Sequence, residues 1–168
     1  MKVLVSVASK HGATAEMATR IAAVLSMAGA EAVVMAPEDV TSLERFDAAI
    51  VGSGVYAGHW LDAAKDLLAE HRDAFARRPV WLFSSGPIGD PPRPADEPID
   101  AAGMQALVGA RGHRVFPGLL ERRRLGFGER ALVAALRAPE GDFRPWPEIE
   151  AWAQQIAGAL LDEPVAAR

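Results

Sequence analysis

Residues 3–14 read Val3-Leu4-Val5-Ser6-Val7-Ala8 and then Ser9-Lys10-His11-Gly12-Ala13-Thr14. The join between the two halves decides the fold. The first half is short, apolar and β-branched at alternate positions, the pattern of a strand buried on both faces of a parallel sheet. A helix follows directly, with Ala18, Ile21, Leu25 and Ala28 at steps of three, four and three and Gly29 as its stop. The residues between are therefore a turn that delivers the chain to a helix N-terminus. Amides in the first helical turn lack intrahelical acceptors, and the helix dipole adds roughly half a positive charge there. Such a turn suits a phosphate group.

Elimination narrows the ligand. A Walker-type loop closes on Gly-Lys-Ser/Thr, whereas Lys10 precedes Gly12 by two residues. A dinucleotide fingerprint needs three spaced glycines, and this turn holds Gly12 alone. A receiver-type phosphorylation site needs carboxylates where this sequence has Ala8, Ser9, Gly52 and Ser53. What remains is a hydroxyl-bearing loop whose amides encircle a monophosphate. It resembles the FMN-phosphate loop of the flavodoxin family, Ser/Thr-x-x-Gly-x-Thr. An ordinary strand-to-helix turn without a ligand is the alternative reading.

Farther along, strands and helices alternate. Residues 31–35 and 48–52 read as the second and third strands and 61–75 as a helix with Leu61, Ala64, Leu67 and Leu68 on one side. Val80 to Phe83 forms a fourth strand, and residues 90–98, with four prolines and three acidic residues, form a loop. A weak helix over 99–110 precedes a fifth strand at 113–119. A last helix runs from about Pro147 to Leu161, with Ile149, Trp152, Ile156 and Leu160 facing inward. This alternation predicts an α/β fold with right-handed crossovers. The natural form is a flavodoxin-like three-layer sandwich whose five-stranded parallel sheet has the order 2-1-3-4-5. We expect one domain over 1–163 and a short tail over 164–168. The ligand then lies beyond the carboxyl ends of the first, third and fourth strands.

The loops at that edge support the expectation. After the third strand come Gly52-Ser53-Gly54-Val55-Tyr56-Ala57-Gly58-His59-Trp60, and after the fourth Ser84-Ser85-Gly86-Pro87-Ile88-Gly89-Asp90. Their glycines let main chain approach a flat ligand closely. Tyr56 and Trp60 offer aromatic faces, although Trp60 reads more simply as a staple at the start of the next helix.

The loop from Gly52 to Trp60 resembles the equivalent loop of the menaquinone-dependent protoporphyrinogen oxidases, a branch of the flavodoxin superfamily. The resemblance continues through Val80 to Ser85, through His113-Arg114-Val115-Phe116-Pro117-Gly118-Leu119-Leu120, and through Glu140-Gly141-Asp142-Phe143-Arg144-x-Trp146. It implies one noncovalent FMN and electron transfer from a reduced donor to an acceptor such as a quinone. Carried over by position, Ser9, Lys10, His11, Gly12, Ala13 and Thr14 hold the phosphate. Ser53, Gly54, Val55, Tyr56, Ala57 and Gly58 then border one side of the ring. Ser85, Gly86, Pro87, Ile88 and Gly89 border the other. With the flavin carrying the chemistry, no catalytic side chain is expected. Nor do the histidines and carboxylates show a metal-ligand spacing. His11 falls in the phosphate loop and His59 near the ring loop, while His71 and His113 read as surface or helix-end residues.

Composition bounds the rest. The chain has 168 residues, no cysteine and a net charge of −4. Thiol chemistry and disulfides are excluded, and nucleic acid is not the expected partner. With no membrane-length apolar run and no signal-like start, a cytoplasmic protein is expected. Residues 111–144 carry eight arginines against four acidic residues. Arg122, Arg123 and Arg124 precede the apolar Leu132, Val133 and Leu136. Such a segment fits an anionic membrane at its inner face, an acidic substrate such as a tetrapyrrole, or a solvated cover for the sheet edge. Redox partners are thus a quinone, a tetrapyrrole or another protein, and self-association stays open. Two further classes remain. A simple electron carrier would dock through an acidic face, for which Asp90, Asp96, Glu97 and Asp100 are candidates. A cofactor-free binding module would keep only the fold.

Overall fold

The computed structural model describes residues 1–162 except Asp90, Pro94 and Leu136. The expected tail at 164–168 lies outside the described residues, as do Asp90 of the acidic loop and Leu136 of the basic segment. In chain order the strands are β1 (Lys2–Ala8), β2 (Glu31–Met35), β3 (Ala48–Tyr56), β4 (His59–Trp60), β5 (Val80–Ser85), β6 (Gly112–Phe116), β7 (Leu119–Leu120) and β8 (Gly141–Asp142). The helices are α1 (Ala13–Met27), α2 (Asp62–Glu70), α3 (Arg72–Phe75), α4 (Ala101–Val108), α5 (Phe127–Ala135) and α6 (Trp146–Leu161).

Five strands run parallel in the order β2-β1-β3-β5-β6. The expected order therefore holds, with β5 and β6 as the fourth and fifth parallel strands. Alternation along β1 explains the layers. Val3, Val5 and Val7 pack with Ile21 and Leu25 of α1 and Trp152 and Ile156 of α6 on one face. Leu4 and Ala8 pack on the other with Leu68 of α2, Phe75 of α3 and Val108 of α4. Both faces are apolar because both are covered.

Three boundaries differ from the sequence reading. The third strand runs on to Tyr56, because β4 folds back on it with Val55 opposite Trp60 and Tyr56 opposite His59. Only Ala57 and Gly58 form the turn, both at positive φ (49° and 82°), as a primed two-residue hairpin requires. The helix over 61–75 breaks at His71, whose ψ of 21° ends α2. The break turns Phe75 into the core, fully buried. The fifth strand ends at Phe116, since Pro117 has no amide to continue the ladder. Two features lay outside that reading altogether: the small β7–β8 ladder and helix α5 between its strands.

Candidate functional site

A cleft of about 220 Å³ opens where β1, β3 and β5 end. The turn after β1 forms its floor. Gly12 sits in the left-handed region (φ 85°) as the residue before α1. Its amide donates to Ser9 Oγ (3.1 Å), and its carbonyl accepts the Glu16 amide (3.0 Å). Ser9 thus closes the turn, leaving the amides of Ala13 and Thr14 at the dipole-positive end of α1. Thr14, buried, lines the cleft beside Gly54, where an added Cβ would lie 3.3 Å from Thr14 Oγ1. Beside it, a Cβ at Gly86 would press on Val55 Cβ at 2.9 Å. Both glycines keep the walls thin.

Of the residues singled out beforehand, Ser9, His11, Ala13, Thr14, Gly54, Val55, Tyr56, Ser85, Gly86 and Ile88 line this one cleft. Others stand back from it. Lys10 points over the Tyr56 ring, 5.5 Å from its centre. Gly12 shapes the turn. Ser53 faces the sheet interior, where its hydroxyl donates to the Gly54 carbonyl (2.8 Å) and accepts the Leu61 amide (2.9 Å). Ala57 and Gly58 form the hairpin tip. The Pro87 carbonyl accepts the Gly118 amide at 2.7 Å, and Gly89 occupies a left-handed bend (φ 90°).

Tyr56 is the aromatic wall, and burial pushes its hydroxyl pKa up to about 12, aided by the nearby Glu129 charge. It therefore stays a neutral phenol. Trp60 instead is core: it is 2% exposed, and its indole N–H donates to Ser84 Oγ (2.7 Å). That hydroxyl also bonds His113 Nε2 (2.7 Å). The expectation of a surface His113 is therefore corrected. It lies on β6 against Ser84, and burial lowers its pKa. His59 points away and pairs with Asp100 (3.2 Å), which also accepts the Trp60 amide (2.8 Å). Asp100 is thus bound within the fold.

The second wall was not foreseen. Leu119 and Leu120 of β7, with Leu125, Glu129, Leu132 and Val133, complete the cleft. The last three belong to α5. Arginines tie this segment down. Arg124 reaches Glu121, Glu16 (3.1 Å) and the His11 carbonyl (3.3 Å). Arg144 reaches Glu16 (2.6 Å), Asp142 (2.7 Å) and the Ala13 carbonyl (3.2 Å). Glu16, in the first turn of α1, thus grips both ends of the segment. Arg123 pairs with Glu121 at 3.0 Å, and Arg122 lies 3.7 Å from Glu140. Glu129 reaches the turn after β1 itself. One oxygen meets Lys10 Nζ and His11 Nε2 (3.1 Å), and the other accepts the Gly126 amide (2.8 Å). These bonds, that to Lys10 foremost, hold its carboxyl pKa down at about 2.

The family described as Flavodoxin domain matches residues 4–144, and the chain belongs to that family. Among solved structures, an archaeal flavodoxin superposes with a TM-score of 0.67 at 18% identity, covering 96% of this chain and 99% of that one. A cysteine-to-serine mutant of Pseudomonas aeruginosa flavodoxin gives 0.64 at 20% identity, again 96% and 99%. The Desulfovibrio gigas rubredoxin:oxygen oxidoreductase gives 0.68 at 16% identity, covering 98% of this chain but 37% of that one. A comparison with curated protein sequences gave no match. FMN is the cofactor of flavodoxin domains. The donor set fits it: hydroxyls and helix-end amides suit a phosphomonoester, and the glycine-walled cleft beside Tyr56 suits a flat ring.

Proposed function

We propose that this chain binds one FMN noncovalently and serves as a flavin-dependent oxidoreductase. When bound, the flavin supplies one- and two-electron redox chemistry. The chain's own part is to hold and shape. Ser9, Ala13 and Thr14 take the phosphate on the turn that Gly12 shapes, with Lys10 adding positive charge and His11 beside it. Gly54 to Tyr56 border the ring on one side and Ser85 to Ile88 on the other, while Ser53, Ala57, Gly58 and Gly89 set those loops from behind. The observation that carries the reading is the left-handed Gly12 turn, closed by Ser9, aimed at the same cleft as Tyr56. Titration of the protein into FMN tests it: quenched flavin fluorescence and co-elution on a sizing column are expected. Gly12→Val should weaken FMN binding at least tenfold, because the added side chain strains φ at the turn that presents the amides. Unchanged affinity in a folded variant refutes this turn as the phosphate site, and protein that takes no flavin refutes the whole reading and leaves a cofactor-free module.

Within this reading, the α5 wall favours substrate oxidation over simple carriage between proteins. Leu125, Leu132 and Val133 add apolar surface to the cleft, which suits the apolar ring of a quinone or of a tetrapyrrole. Phe127, 92% exposed, and Leu132 lie on the same segment as the exposed Arg122 and Arg123, which suits peripheral contact with an anionic membrane. Quinone-coupled oxidation of protoporphyrinogen by the FMN-loaded protein tests the narrower reading. Activity that falls when Arg122 and Arg123 become Glu supports it, and a loaded protein without activity leaves the carrier.

A further inference from the structure

The residue at which the two walls of the cleft meet is Glu129. Its carboxylate holds two side chains of the anion loop, the Lys10 ammonium and the His11 ring, through one oxygen. Its other oxygen accepts the Gly126 amide at the start of α5. The same side chain therefore fastens α5 to the loop and neutralises the charge that the loop offers a phosphate. Elsewhere α5 is weakly held. None of its described residues is buried, and among the described residues Arg130 bonds within the segment, to the carbonyls of Arg122 and Leu125 (3.0 Å each). The ion pairs of Arg124 and Arg144 with Glu16 anchor the ends of the segment, and do not reach α5 itself.

Two anions do not share one small cationic site without a large cost. A phosphate drawn to this loop meets a carboxylate already seated on its cations. We propose that Glu129 is the internal occupant of the anion loop, and that a bound phosphate displaces it and releases α5 from the mouth of the cleft. The inference rests on the loop taking a phosphate. It makes Glu129 a specificity-determining residue, since it opposes the phosphate of FMN, a group that riboflavin lacks. It also couples the two walls: the anion that fills the loop moves Leu132 and Val133, which face the ring cleft.

The test uses inorganic phosphate, riboflavin and FMN as separate probes. Glu129→Gln keeps an acceptor for the Gly126 amide and removes the charge. It should bind inorganic phosphate and FMN about tenfold more tightly than the wild type, with a clearly smaller change for riboflavin, which brings no phosphate to the loop. A second measurement needs no variant. In the wild-type protein, saturating inorganic phosphate should speed amide exchange across α5 and leave exchange across α2 unaltered. Weaker or equal phosphate affinity in the variant, a matching change for riboflavin, or unchanged or slower α5 exchange overturns the inference. The failures stay separate. If phosphate frees α5 but no flavin binds, the flavin reading falls and this one stands. If FMN binds while phosphate leaves α5 in place, the reverse holds.

Discussion

The two walls of the cleft are held in different ways. The β3 and β5 wall stands on a sheet whose strands are buried on both faces, so its position follows from apolar packing. Helix α5 buries none of its described residues, and a handful of ion pairs ties its segment to α1 and the turn after β1. Dispersion and burial act at short range and are not weakened by ionic screening. Surface ion pairs are individually weak and screened. A cleft with one rigid wall and one charged, lightly anchored wall is built to keep its floor and adjust its mouth.

The largest predicted effect tests the rigid side. An added Cβ at Gly52 would lie 2.3 Å from Phe83 Cε1. Phe83 has no room to retreat, because it is fully buried and its ring meets Trp152 at 5.9 Å and Phe116 at 6.4 Å. Overpacking of this kind costs about 1–3 kcal/mol and sometimes more. We therefore expect Gly52→Ala to lose roughly 3 kcal/mol in urea unfolding, with part of the loss restored by Phe83→Leu. A loss below about 1 kcal/mol would mean that the sheet is softer than its packing indicates.

This division explains what the sequence disclosed. Period-two alternation in Val3 to Val7 and the helical stripe of Ile21 and Leu25 reflect burial, and they made the sheet order and the Ser9–Thr14 turn legible. Burial also misled once. His113 lies in a strand whose polar residues suggested exposure, yet Ser84 and Trp60 wait for it across the sheet. The extension of β3 to Tyr56 depends on pairing with His59 and Trp60, a contact that loop-like glycines conceal. The α5 wall was hidden for a deeper reason. Its place depends on Glu16 meeting both Arg124 and Arg144, and no local pattern announces ion pairs across more than a hundred residues. The arginine run was visible as charge but not as a clasp.

The next prediction probes the clasp. The Arg144 side chain is 6% exposed, stacks on Trp146 (4.5 Å) and serves Glu16, Asp142 and the Ala13 carbonyl together. Arg144→Met keeps much of the stem and removes every charged bond. It should cost about 1–2 kcal/mol, since the pair partners remain partly solvated. Trypsin should then cut first after Arg122, Arg123 or Arg130, while cleavage within the sheet stays slow. Equal loosening of both regions would erase the distinction between the walls.

The smallest effect separates the walls by pH. His113 is held neutral by burial, with its folded pKa below the ordinary 6.5, and Nδ1 has no hydrogen-bond partner among the described residues. The unfolded chain thus binds a proton more readily than the folded one, so stability falls as pH drops below about 6.5. Glu129 has the opposite charge and a lower window. Its folded pKa of about 2 lies below the ordinary 4.5, so its contribution is whole above 4.5 and fades as pH falls toward 2. Acid should therefore reach the sheet before it reaches the α5 fastening. Urea unfolding between pH 7.5 and 5.5 (about one unit on either side of 6.5) should show a decline that His113→Gln flattens and Glu129→Gln leaves unchanged. If Glu129→Gln removed the decline instead, α5 would be fastened by a group titrating near neutrality, and the two walls would not answer to pH separately.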